Sequence, residues 1–160
     1  MGFKRRLKDY KPGTFLRIPL ADGSYGYGRA ISEVYIAFYN HRTTSPSEDL
    51  DAIEASSLLF TQAVRVFNDS GWEMLGIRPL MGEVARPVVA FWQDIADYRN
   101  CEIFDTAGMD RPVTPEECIG LERASVWDDW HIERRLLDHF MGRPNAQEIR
   151  SRVHLDDDWE

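Results

Sequence analysis

One change of hydrophobic period constrains this chain more than any other feature. From residue 14 to about residue 105 apolar and polar residues alternate in short runs, and from residue 114 onward they recur every three or four residues. Alternation sends successive side chains to opposite faces of a strand, whereas the longer repeat gathers them on one stripe of a helix. Strands first and helices last predict an α+β fold: a twisted or barrel-like antiparallel sheet of about six to seven strands, with C-terminal helices packed on it. No internal repeat or long linker breaks the pattern, so one domain over 1–160 is expected, with a basic lead-in at 1–12, a mainly β part at 13–105, a mainly helical part at 114–154 and an acidic tail at 155–160.

The opening is the best-determined stretch. Lys11-Pro12-Gly13 punctuates the chain before Thr14 to Leu20, where Leu16, Ile18 and Leu20 share one face and Phe15 and Arg17 the other. Asp22-Gly23 suits a tight hairpin turn because both residues tolerate positive φ. The return strand over Tyr25 to Ile31 holds Gly26 and Gly28, which weaken a flat strand and imply a bend or bulge. A third strand follows over Val34 to Tyr39, then a loop over Thr43 to Asp49 capping a short helix at Leu50 to Ala55. Further strands are expected over Leu58–Phe67, Trp72–Ile77, Val88–Trp92 and Arg99–Phe104, the third of them nearly all apolar and so covered on both faces.

Thr114-Pro115-Glu116-Glu117 has the parts of a helix start: a Thr cap, Pro in the first turn and Glu three residues after the cap. It predicts a short helix to Ala124, interrupted near Gly120. Ser125 is read as the cap of a longer helix on which Ile132, Leu136 and Phe140 recur every fourth residue and Leu137 and Met141 widen the stripe, with Gly142 and Pro144 as its stop. Asn145 and Glu148 frame a last short helix.

Composition narrows the function classes. No apolar run approaches the roughly 20 residues that cross a bilayer as a helix, and the basic start has no apolar segment behind it, so a cytoplasmic protein is expected. Cys101 and Cys118 make neither a disulfide framework nor a metal knuckle and read as small buried residues. The net charge of −8 is uneven: residues 1–80 balance at +1 and residues 81–160 at −9. Such an acidic half repels phosphate backbones, which argues against nucleic acid, and attracts a basic protein partner. Glycines 23, 26 and 28 have the wrong order for a dinucleotide loop and precede a strand. His41, His131, His139 and His154 lack metal-ligand spacing, so neither a metal nor a cofactor is expected.

Two features remain as candidate sites. Trp127, Asp128, Asp129, Trp130 and Glu133 combine aromatic anchors with acidic charge at the start of the long helix, and Asp156, Asp157 and Asp158 close the chain. Carboxylates at 128, 129 and 133 also complement a helix dipole, which by itself accounts for them. Most of the other aromatics, Tyr25, Tyr27, Tyr35, Tyr39, Trp72 and Trp92 among them, read as core.

The run from Lys11 to Leu20 with Asp22-Gly23-Ser24-Tyr25-Gly26-Tyr27-Gly28-Arg29 resembles the opening of immunity protein family twenty-six of bacterial polymorphic-toxin systems. Trp72 to Gly76 and Pro87 to Gln93 are compatible with it, and the likeness is strongest over 11–40, weaker to about 105. The resemblance implies a protein that binds and neutralises a cognate toxin; it implies no catalytic residue. Two other readings are kept: a small-ligand or regulatory barrel with a cavity lined by Tyr25, Tyr27 and Trp92, and a hydrolase or nuclease using Asp128, Asp129, Glu133 and a histidine.

Overall fold

The computed structural model describes residues 6–157. The chain, expected as one domain, divides into two compact units: one from the residues up to Ala85 with Val126–Asn145, the other from Arg86–Ser125 with the residues from Ala146 onward.

The first unit is built on a six-stranded mixed sheet. Its strands are β1 (Thr14–Pro19), β2 (Tyr25–Ala30), β3 (Tyr35–Thr43), β4 (Leu58–Arg65), β5 (Glu73–Ile77) and, much later, β9 (Val126–Asp128), in the order β5-β1-β2-β3-β4-β9. All neighbours are antiparallel except β9, which runs parallel to β4. The alternation expected of β1 is realised. Leu16, Ile18 and Leu20 enter one core with Ala30, Ile36, Phe38, Trp72, Ile132 and Leu136, while Phe15 faces the opposite way with Tyr27, Tyr39 and Ile53. The short helix α1 (Leu50–Glu54), capped by Asp49, whose side chain accepts from Ala52 N at 3.1 Å, brings Ile53 to that second cluster. Helix α2 (Asp129–Phe140) covers the first. Each fully buried leucine or isoleucine there contributes roughly 1.5–3 kcal/mol.

Gly26 and Gly28 mark a register shift between β2 and β3, the irregularity their presence implies. They also admit what packs against them. A Cβ at Gly26 would stand 3.0 Å from Leu136 Cδ1, and one at Gly28 3.0 Å from Phe38 Cδ1. The sheet nevertheless does not close into a barrel, because its terminal strands β5 and β9 each pair on one side only.

The tight hairpin expected at Asp22-Gly23 forms, with one of the two residues, not both, at positive φ. Leu20 N donates to Ser24 O at 2.8 Å and Gly23 N to Leu20 O at 3.0 Å, so three residues make the loop and Gly23 alone takes positive φ, +84°. That is a type I turn completed by a left-handed glycine. Asp22 keeps an ordinary backbone and instead accepts from Ser24 and from Arg42 Nη2, at 3.0 Å. The Ser24 bonds first, then Arg42, hold its pKa down at about 2. The carboxylate therefore adds stability above its unfolded value near 4, and that stability is lost as pH falls toward 2. Asp22→Asn is expected to lower stability at neutral pH, where the carboxylate contributes, and to flatten the acid limb of a stability–pH curve in that window. Hydrogen exchange at the hairpin, followed between pH 5 and 2, reads it directly.

The second unit carries β6 (Val89–Gln93), β7 (Cys101–Asp105) and β8 (Asp110–Val113) as an antiparallel three-stranded sheet, with helix α3 (Ala146–Ser151). Its core is Phe91, Cys101 and Cys118, with Ile103, Val113, Leu121 and Val153 against it. Among the described residues, nine strands in two sheets thus replace the expected six to seven in one, β8 and β9 being additions. Burial of β6 on both faces is not realised either, since Val89 and Trp92 are each 43% exposed. The Thr114 capping box forms, Thr114 N donating to Glu117 Oε2 at 2.8 Å, but only a 3-10 turn over Pro115–Cys118 follows. Gly120 at φ +85° turns the chain out of helix. Among the described residues no helix is long and apolar enough to cross a membrane.

Candidate partner-binding surface

The candidate segment Trp127 to Glu133 straddles a strand-to-helix junction, and the junction decides which way each side chain points. Val126, Trp127 and Asp128 pair with Ala63, Val64 and Arg65, so the chain is still extended where Ser125 was expected to start a helix. Asp128 is the actual cap. Its side chain takes the backbone N–H of His131, and its own N–H donates to His131 Nδ1 at 3.1 Å. Extended geometry at 127 followed by helix from 129 turns the two tryptophans apart.

Trp127 is 2% exposed and lies in the main core, beneath Arg135, whose guanidinium carbon stands 5.1 Å from its ring centre. Asp129, also buried, accepts from Phe67 N at 3.0 Å and from Trp130 N at 2.7 Å. These two members of the expected surface therefore do not face solvent. Asp128 pairs with Arg65 at 2.8 Å, a second structural tie. Glu133 accepts from Trp72 Nε1 at 3.1 Å; burial pushes its pKa up, the indole bond opposes this, and the Asp129 charge adds to the rise. All three acids of the hydrolase reading thus hold the fold together. Among the described residues no group of three His, Cys, Asp or Glu side chains is placed to hold a metal ion.

Trp130 is the member that faces out. It is 49% exposed, its ring tilted against that of His131 at 3.7 Å between centres, with the Arg134 guanidinium 5.6 Å from its own ring centre. It lies at one side of an open groove of about 730 Å³ between the β1–β2 loop and α2. Pro19 and Leu20 form the loop wall; Trp130, Glu133, Arg134 and Leu137 form the helix wall. Asp138, paired with Arg143 at 3.2 Å and bonded by Asn145 at 2.9 Å, closes one end. The groove therefore mixes an aromatic anchor with charges of both signs. The parts of this wall other than Trp130 and Glu133 escaped the sequence reading. Their signal was the spacing of 130, 133, 134 and 137, one helical face.

Charge falls elsewhere than expected. The unit that holds α2 has 13 Lys+Arg against 14 Asp+Glu, and the other unit has 6 against 13. The acidic excess of the chain is thus a property of the second unit. Asp156 and Asp157 belong to that unit, and Asp158 lies outside the described residues. Of the residues expected to line a small-ligand cavity, Tyr25 and Tyr27 lie in the first unit. Tyr27 is fully buried, its hydroxyl bonded by Thr43 and by Ser47 N at 3.2 Å, and Trp92 belongs to the other unit.

Comparison with curated proteins and with solved structures finds no match. The model of the family immunity protein 26 matches residues 11–102, more than half of the chain. The matched segment takes in β1 to β6 and stops before β9 and α2, so the helix wall of the groove lies outside it. From the Lys11-Pro12-Gly13 opening through the sheet it builds, the chain belongs to the immunity protein 26 family.

Proposed function

We propose that this chain is a cytoplasmic immunity protein of a bacterial polymorphic-toxin system, which neutralises a cognate toxin by binding it one to one, without turnover. The family match over residues 11–102 is the observation that carries this reading. The contact surface we assign is the α2 groove, with Trp130 as the anchor and Glu133 beside it. An exposed tryptophan next to partly buried apolar walls is the composition that dominates binding energy at protein interfaces. The acidic second unit plays a different part: its field attracts a basic toxin from a distance and raises the encounter rate.

These two roles separate in kinetics. Trp130→Ala is expected to raise the dissociation rate at least 10-fold with little change in association, corresponding to a loss above about 1.4 kcal/mol. Asp156→Asn with Asp157→Asn is expected to lower the association rate several-fold at low salt, with the difference vanishing at high salt. Surface plasmon resonance with the toxin domain encoded by the neighbouring gene measures both. Unchanged dissociation in the Trp130 variant would remove the groove from the interface.

A further inference from the structure

Residues 101 and 118 stand 17 apart in sequence, yet both cysteines enter the same small core. Cys101 is 1% exposed on β7 and Cys118, at the end of the 3-10 turn after β8, is 0% exposed. Each thiol is also tied to its own local carbonyl, Cys101 Sγ to Tyr98 O at 3.3 Å and Cys118 Sγ to Thr114 O at 3.6 Å. The two side chains lie in one buried cluster, close enough for each to influence the other's titration. Both are free. Phe91 completes the buried cluster.

We propose that Cys101 and Cys118 are a dithiol that closes to an intramolecular disulfide when the protein meets a small-molecule disulfide oxidant, stapling β7 to the turn that follows β8. One thiol loses its proton and attacks a sulfur of the oxidant, displacing a small thiolate. The second loses its proton and attacks the mixed disulfide, displacing the other. Two protein thiols and one small disulfide become one protein disulfide and two small thiols, each released thiolate taking up a proton. Two sulfurs packed in one small buried cluster need a limited approach to reach the bonded separation of about 2.05 Å.

Burial sets the rate. It pushes both thiols up, Cys118 to about 11 with the neighbouring Cys101 and Glu117 adding to the rise, while Arg123 opposes it in both and Asp97 raises Cys101. Exchange at neutral pH is therefore slow and proceeds through opening of the second unit, which keeps the pair reduced in a thiol-rich compartment. Once closed, the bond restricts the unfolded chain across the 101–118 loop and stabilises the unit.

Full-length protein incubated with oxidised glutathione, then examined by intact mass and by non-reducing peptide mapping, tests this. The expected product has lost two hydrogens, carries no glutathione, yields a single Cys101–Cys118 linked peptide, and melts roughly 5 °C or more above the reduced protein. Dithiothreitol returns the lower Tm, and Cys118→Ala shows no rise with oxidant. Two persistent free thiols at equilibrium, a stable glutathione adduct, a covalent dimer or a linked form with lowered Tm would each overturn the proposal.

Discussion

Trp127→Ala is expected to cost about 3–5 kcal/mol of folding stability, while Trp130→Ala, only three residues on, costs less than about 1 kcal/mol. The two residues look equivalent in Trp127-Asp128-Asp129-Trp130, but one fills the main core and the other lies half in solvent. Truncating Trp127 empties a site bounded by α2 and the sheet, and those elements cannot collapse to fill it without moving the β4–β9 pairing. Its indole N–H is buried without a hydrogen-bond partner. An unpaired donor of that kind carries a penalty of about 1–3 kcal/mol, so Trp127→Phe keeps most of the burial, removes the penalty and should stay within about 1.5 kcal/mol of the wild type. Urea midpoints at unchanged m-value measure all three. Equal losses for the two alanine variants would contradict the opposite orientation of the two rings.

Gly13→Ala is the second large effect. Gly13 has φ +94°, and a Cβ there would stand 2.2 Å from the backbone oxygen of Arg78. That oxygen is not free to retreat. It accepts from Arg29 Nη2 at 3.0 Å, while Arg78 N donates to Gly13 O at 3.2 Å. Arg29 is itself buried, its guanidinium lying 4.4 Å over Phe15 and bonding also to Pro79 O at 2.9 Å. Displacing the Arg78 carbonyl therefore loosens the support of a buried charge as well as forcing a strained backbone. A loss of at least about 3 kcal/mol is expected, compounded of backbone strain and a poorly satisfied cation. Gly23→Ala provides the control: φ is also positive, +84°, but nothing stands within 4 Å of the new Cβ. Strain alone should cost about 1–2 kcal/mol there. Thermal unfolding of the two variants separates steric blockage from conformational preference, and equal shifts would refute the close approach at Arg78.

The sequence disclosed those parts of the fold that local rules control. The two faces of β1, the β2 irregularity at Gly26 and Gly28, the Thr114 capping box and the helix stop at Gly142, φ +69°, all follow from side-chain period, steric freedom and capping chemistry within a few residues. What was hidden depends on distant partners. Val126-Trp127-Asp128 is a strand only because β4, some 60 residues earlier, offers it an edge, and that pairing moved the helix start from Ser125 to Asp128. The same shift parted Trp127 from Trp130, which the sequence had offered alike as anchors. The division of charge was hidden for a similar reason: counting by halves of the chain joined α2 to the acidic residues, whereas the fold returns α2 to the first unit. Likewise nothing in the spacing of Cys101 and Cys118 announced that they share one buried cluster.

The central claim is neutralisation by stoichiometric binding, and titrating toxin activity against this protein tests it most directly. At toxin concentrations well above the dissociation constant, residual activity should fall linearly and reach zero at one equivalent, and cells expressing the protein should survive the toxin. Full toxin activity at a large molar excess would contradict neutralisation, and complete protection at a small fraction of one equivalent would contradict stoichiometric binding in favour of turnover.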